Sequence, residues 1–404
     1  MPYTYEPDII SSTLYPVTYR STQASADSLL VEVCVDGATV GTYHAQQTGS
    51  SGSSSTFDLD VMGFVQTQVA PFVSSQASVF GTLNDFYRNL NEDCFKELFV
   101  TVYPENINSS GFLETSTASE QSSTTYICPA NFYGYDSDLE QFQQAGAGDM
   151  YFLTAYRNSR KIRDTDNCYL SYLTRGVDAA QFIFYNGAGS ATSFPVLDMV
   201  HTSADYGMQT FSVGLANILG QSAGGGLVFQ EGAFPTTSNS ISYYTVSLGT
   251  YDGSYTQESE TLQFNVQADC TDKLEVHWFG DHGGAESFVF VGLIEDSVKV
   301  GGQLTNITTP WNVTGSPRRN TYSKGIIRTE TRRSPEKQVT VAVTPEEAQY
   351  ISTMFHSAEV YVNDGGNYVS CVIENADIPT TSNRATSIEI SFTIVFGDKV
   401  TNKI

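Results

Sequence analysis

"KLEVHWFGDHGGAESFVF", Lys273 to Phe290, holds a strand, a turn and a returning strand in eighteen residues. Leu274, Val276 and Trp278 alternate with Glu275, His277 and Phe279. That two-residue period belongs to a β-strand, whose successive side chains point to opposite faces. Gly283 and Gly284 permit a sharp reversal, and "SFVFVGLI" supplies the returning strand. Read for chemistry, the same stretch offers His277, Asp281, His282 and Glu286, all donor types that zinc accepts. The spacing argues against a metal centre. A zincin places two histidines four apart on one helix face with a glutamate between them, whereas here H-x-x-x-x-H falls on a strand end and its turn with no converging third ligand. The expectation is a core-anchoring corner built on Trp278, Gly283 and Gly284, with His277 on the opposite face.

At 404 residues the chain exceeds what one hydrophobic core usually serves, so two or three domains are expected. Tyr and Phe, 24 of each, stand among abundant Ser, Thr, Asn and Gly, which favours strands joined by polar loops. The formal charge of -24 argues against nucleic acid as the main partner and against direct sequence-specific binding to it, because phosphate binding needs a basic face. Residues 1–310 hold 10 Lys/Arg against 34 Asp/Glu, and residues 311–404 hold 10 of each. An acidic body and a balanced C-terminal region suit either plain solvated surface or electrostatic docking between subunits. Two basic islands stand out: Arg157, Arg160, Lys161 and Arg163, and a second containing Arg318, Arg319, Lys324, Arg328, Arg332, Arg333 and Lys337. Arg318, Arg319, Arg328, Arg332, Arg333, Arg157, Arg160, Lys161 and Arg163 are taken as candidate interface residues; the alternative for the first island is an exposed turn whose charges pair locally, and for the second an exposed strand whose alternating charges discourage edge aggregation.

The opening "MPYTYEPDII" shows no basic-then-apolar leader, and no run reaches the ~20 apolar residues of a membrane helix. Synthesis in a cytoplasm is expected. Six scattered cysteines without a C-x-x-C pair suggest buried thiols in place of a zinc ribbon or disulfide frame.

Along the chain, "SLLVEVCVDGATVGTYHA" predicts a hairpin turning at Asp36-Gly37. The spacing of Phe64, Val65, Val69 and Phe72 predicts a helix, and "ELFVTVYPENI" a strand. "NSSGFLETSTASEQSSTT" reads as a long loop. Short apolar runs between 126 and about 245 fit antiparallel strands. In "TPEEAQYISTMF", Thr344, Pro345 and Glu347 stand at the N-cap, N1 and N3 positions of a capping box. Ala348, Ile351, Met354 and Phe355 form its apolar face. The chain therefore reads as mainly β with a few helices: antiparallel β-sandwich or barrel modules plus an α+β module at the C-terminus. The expected division is an N-terminal β-rich domain over 1–125, a middle β-rich domain or insertion over 126–239, and a C-terminal region over 240–404.

"GQSAGGGLVFQEG" lacks the Lys-Ser/Thr of a P-loop, "NGAGSATS" is not a nucleophile elbow, and "YDSDLE" lacks the glycine and distal glutamate of a calcium loop. No motif points to an enzyme or a cofactor.

"KLEVHWFGDHGGAESFVF" resembles a segment of virion proteins from tailed phages that infect Bacteroidetes. "TPEEAQYISTMFHSAEVYVNDGGNYVSCVIEN" and "SIEISFTIVF" are similar to the capped helix and strands that follow it there, and "VEVCVDGATVGTYHA" to an early strand-DG-strand unit. The resemblance is to tail ring, tail hub and distal-tail-like proteins of crAss-like and related phages. It covers about 240–404, extends loosely over 28–104, does not reach 105–239, and departs where "WFGDHGG" replaces the more usual Trp-Leu-Asn start. It implies a structural subunit that forms or joins a ring around the tail axis, made in the host cytoplasm and located in the virion tail. Its implied partners are copies of itself and other tail, portal-proximal or fibre proteins, and it implies no active site. The alternative is a carbohydrate-binding adhesin or receptor-binding protein, since aromatic side chains on β-scaffolds stack on sugars.

Overall fold

The computed structural model describes residues 3–5, 10–12, 17–24, 26–51, 53–65, 67–68, 86–91, 96–128, 150–156, 159–201, 207–222, 227–301, 304–310, 322–328, 330–357, 359–364, 367–377, 387–396 and 399–403. They are mostly strand, arranged in curled antiparallel sheets. The chain divides into two compact units, Met1–Asp269 with Trp278–Ser287, and Cys270–His277 with Phe288–Ile404.

The first unit holds two hydrophobic cores. One is built by β1 (Thr18–Ala24), β2 (Ser28–Val35), β3 (Ala38–Gln46), β4 (Ser54–Asp60) and β5 (Lys96–Ile107), while β6 (Leu113–Thr115), paired with β5, is exposed. Here β1 pairs with β4, and β2 lies between β3 and β5. Alternation delivers Leu29, Val31 and Val33 of β2, Phe57 and Leu59 of β4, and Val100 and Val102 of β5 to one interior. The β2–β3 turn is the expected tight one: Asp36 (φ 48°) and Gly37 (φ 76°) are both left-handed, as a hairpin matched to strand twist demands. The Ser/Thr-rich stretch is not one long loop. Leu113–Thr115 and Glu120–Gln121 both pair with β5, because extended polar residues still satisfy their backbone on an open sheet edge. The helix expected from Phe64 is seen at Met62–Val65; Val69 and Phe72 lie outside the described residues.

The second core is formed by β7 (Arg160–Ile162), β8 (Tyr169–Leu173), β9 (Ala179–Tyr185), β10 (Val196–Asp198), β11 (Met208–Ser212), β12 (Tyr243–Tyr251) and β13 (Leu262–Val266). The sheet order β7-β13-β12-β9-β10 places Phe184, Tyr244 and Phe264 side by side. Their rings stack at 5.3 Å and 5.0 Å between centroids, and the Tyr244 hydroxyl donates to Val213 O at 2.6 Å. This moves a boundary. Residues 243–266, grouped from sequence with the C-terminal region, belong with 150–234, because β12 is in register with β9 along seven residue pairs.

The second unit contains most of β14 (Lys273–Phe279) and β15 (Ala285–Val291), then β16 (Leu293–Gly301), β17 (Leu304–Pro310), β18 (Tyr322–Arg328), β19 (Glu330–Val343), α1 (Pro345–Ser352), β20 (Val360–Asp364), β21 (Asn367–Asp377) and β22 (Ile388–Phe396). Its sheet runs β15-β14-β20-β21-β22-β19-β16. Only Gly292 separates β15 from β16, so the two ends of the sheet are one bent strand and the sheet curls shut. A Cβ at Gly292 would lie 2.8 Å from Val341 Cγ1 and 2.9 Å from Thr340 O, so the bend brings backbone against backbone where only glycine fits. α1 carries the expected cap: Thr344 Oγ1 accepts from Glu347 N at 3.1 Å and Glu347 Oε2 from Thr344 N at 2.9 Å. Beyond it Phe355 packs edge-on against Phe392 of β22 at 5.6 Å. Among the described residues, no helix is long and apolar enough to cross a membrane.

Two outcomes follow. Gly292→Val is expected to cost about 1–3 kcal/mol, read as a lower urea midpoint for the transition of this unit. In the first unit, burial alone would raise the Glu105 pKa, but hydrogen bonds from Ser28, His44 and Thr115 outweigh it and hold the carboxyl below its ordinary range. A depressed carboxylate pKa stabilises fully above the unfolded value and loses that contribution as pH falls through the folded one. Stability should decline in acid below the ordinary glutamate range, and Glu105→Gln should flatten that limb in a urea titration repeated across pH.

Candidate functional site

The corner is assembled from β14 outward. Leu274, Glu275, Val276, His277 and Trp278 are all buried, so both faces of this strand are covered and alternation does not send His277 to solvent. His277 Nε2 meets Glu275 Oε1 at 2.7 Å, and its ring stands edge-on to Tyr368 at 4.9 Å. Gly283 takes φ 76°. Its N–H donates to Gly280 O at 2.8 Å, and Gly280 N–H to Gly284 O at 2.9 Å, which closes the reversal. A Cβ at Gly284 would fall 2.0 Å from Leu153 O. Here glycine is required by the close approach of another backbone.

Glu286, on the returning strand, is the centre of the site. Its side chain is fully buried. Oε2 accepts from Thr154 Oγ1 at 2.9 Å and from Arg160 Nη2 at 3.4 Å, while Oε1 accepts from Ala155 N–H at 2.9 Å. The same guanidinium donates to Tyr156 O at 3.2 Å and to Thr154 Oγ1. It lies 5.9 Å and 6.0 Å from the Tyr156 and Phe264 ring centroids, within cation–π range. Neighbouring contacts continue the seam. Ala285 N–H donates to Ser171 Oγ at 2.9 Å, and Ser287 Oγ lies 3.2 Å from Cys168 Sγ. Burial pushes the Cys168 thiol pKa up, with Arg160 opposing it, so the neutral thiol is favoured. Charge compensation and donor geometry make this arrangement a lock that holds residues 278–287 to the core of the first unit.

The candidate interface cations separate on inspection. Arg160 is a correction: at 6% exposure it is an internal counter-ion, because an isolated buried carboxylate is too costly to leave uncompensated. Lys161, next along β7, is exposed. Arg163 is partly buried and reaches Asp166 Oδ2 at 3.4 Å. Arg157, Arg318 and Arg319 lie outside the described residues. Arg328 is on β18, while Arg332 and Arg333 on β19 stand opposite Gly301 and Val300. The first island lies in one compact unit and the second in the other. Among the described residues, no three His, Cys, Asp or Glu side chains gather as metal ligands.

One polar cluster gave no signal in the sequence. Buried Tyr172 donates to Gln209 Oε1, and Gln209 Nε2 donates to Met199 O at 2.9 Å. With its single proton committed, the Tyr172 oxygen accepts from His201 Nε2 at 2.7 Å, which fixes the neutral imidazole as its Nε2–H tautomer. Burial pushes the Tyr172 pKa well up, so the phenol stays protonated. Beside it Val200 takes φ 59° with its side chain exposed, a rare backbone for a β-branched residue, held by donation of its N–H to Asp198 Oδ1 at 2.7 Å.

No protein-family model matches the chain, and no curated protein matches its sequence.

Breaking the lock on one side should be costly. Arg160→Met or Glu286→Leu alone is expected to lose about 3–5 kcal/mol, whereas the two together should recover most of it. A double-mutant cycle by urea unfolding measures this coupling.

Proposed function

We propose that this chain is a structural subunit of a tailed-phage virion, forming or joining a ring around the tail axis as a ring, hub or adaptor protein. Its partners on this reading are further copies of itself and neighbouring tail, portal-proximal or fibre proteins. The reading begins from the resemblance of residues 240–404 to tail proteins of Bacteroidetes phages, and one observation carries it further. β17 and β18 pair only with each other among the described residues, Leu304 opposite Arg328 through Pro310 opposite Tyr322. They continue the β16–β19 hairpin as a two-stranded arm.

Such a ribbon is marginal by itself in water, and each outer edge offers a row of unpaired backbone donors and acceptors. Edge-to-edge pairing with another copy would satisfy both. Because the two edges differ, the contact is head-to-tail, the type that generates rings. Exposed apolar side chains support a contacting role: Leu293 and Val298 on β16, and Ile107, Phe112 and Leu113 at the β5–β6 tip, are each at least half exposed.

The decisive experiment replaces residues 303–329 with a short Gly-containing turn. Absolute mass by light scattering should fall from a closed oligomer to a monomer while circular dichroism keeps its β signature. Arg332→Glu with Arg333→Glu should weaken the same oligomer. An unchanged mass in both variants overturns the reading.

A further inference from the structure

The sheet β7-β13-β12-β9 of the first unit has a second face. Phe182 and Phe184 of β9, Tyr244 and Val246 of β12, and Leu262 and Phe264 of β13 line the core, so the residues between them point the other way. On that outer side Tyr185 stands directly opposite Tyr243. Their rings stack at 4.5 Å between centroids with planes 9° apart, and both are only partly buried. Tyr243 is flanked by Asn265, and Tyr185 by Ala191, whose methyl covers little of an aromatic face. Gln263 Nε2 donates to Asn265 Oδ1 at 2.8 Å. This joins the two amides and leaves Gln263 Oε1 as an acceptor beside the Asn265 Nδ2 donors.

The charge here is unusual for this molecule. The four strands contain no Asp or Glu, although the chain carries 44. Lys161, in register with Asn265, is the cation at the margin. A partly buried aromatic stack bordered by paired amides, on strands that carry no carboxylate, matches one ligand chemistry. We propose that this face binds a neutral oligosaccharide: the apolar face of a pyranose lies against the tyrosine pair, and the amides take adjacent hydroxyls, one donating and one accepting. A nucleic acid would also stack, but the chain's charge of -24 opposes it. The inference stands whether or not the chain assembles into a ring.

The test uses the full chain on an array of neutral hexose and N-acetylhexosamine oligosaccharides beside uronate-containing ones, followed by calorimetry on the best binder. Selective binding of a neutral oligosaccharide is expected. Tyr185→Ala should weaken it about tenfold, the scale of one aromatic stack with its buried area, while Tyr185→Phe keeps most of it. Gln263→Ala, a surface change that leaves the aromatic pair in place, should also weaken binding, with the thermal midpoint showing both proteins folded. Absence of any neutral binder at millimolar concentration overturns the proposal. So does undiminished affinity in folded Tyr185→Ala and Gln263→Ala, or binding confined to uronates and abolished by salt.

Discussion

A carboxylate taken out of water must be met by donors and by a counter-charge, and Glu286 is met by both. Thr154, Ala155 and Arg160 come from one short segment, and all reach the same two oxygens. The surrounding geometry depends on that meeting. Gly280 and Gly284 sit where a side chain would strike Glu286 or Leu153, and Ser171, Cys168 and Ser287 extend the seam. Replacing a buried ion pair with apolar residues is often neutral or stabilising, so its worth lies in registry. An apolar substitute could slide, whereas a carboxylate between a guanidinium and a backbone N–H has one position.

The second unit obeys a different constraint, that of sheet edges. A curled sheet leaves two edges unless something joins them, and the bent strand through Gly292 does so by pairing with β14 on one side and β19 on the other. Among the described residues, β17 and β18 pair only with each other. Closure in the body and openness in the arm are complementary: the curled sheet supplies stability, and in the proposed assembly the arm would supply backbone groups for a partner. The outer face of the β9–β12 sheet offers aromatic rings and amides in place of backbone. The proposed assembly and the proposed glycan contact therefore use separate parts of the chain and different chemistry.

Much of the fold was legible because local physics decides it. Asp36-Gly37 named its turn, since few residues tolerate a left-handed backbone, and Thr344-Pro345-Glu347 named the start of α1. The period-two runs named strands. Less was legible where two outcomes share a local pattern. The Ser/Thr-rich stretch after Ile107 pairs with β5 although its composition suits a loop, and β14 is covered on both faces although its alternation suits a half-buried strand. Arg160 sat in a basic island, and nothing local distinguished a surface cation from a buried counter-ion whose carboxylate lies 126 residues away. The Tyr172, His201 and Gln209 cluster was illegible for the same reason of distance.

Local sequence was enough for the class of structure, the turns, the capped helix and the corner glycines, because each depends on steric and hydrogen-bonding preferences acting within a few residues. Tertiary structure decided which strands share a core, where the sheet closes, which charges are buried and which tyrosines stand together on an open face. Those outcomes depend on register between segments far apart in the chain, and a strand's own alternation shows that it has two faces without showing what will cover either.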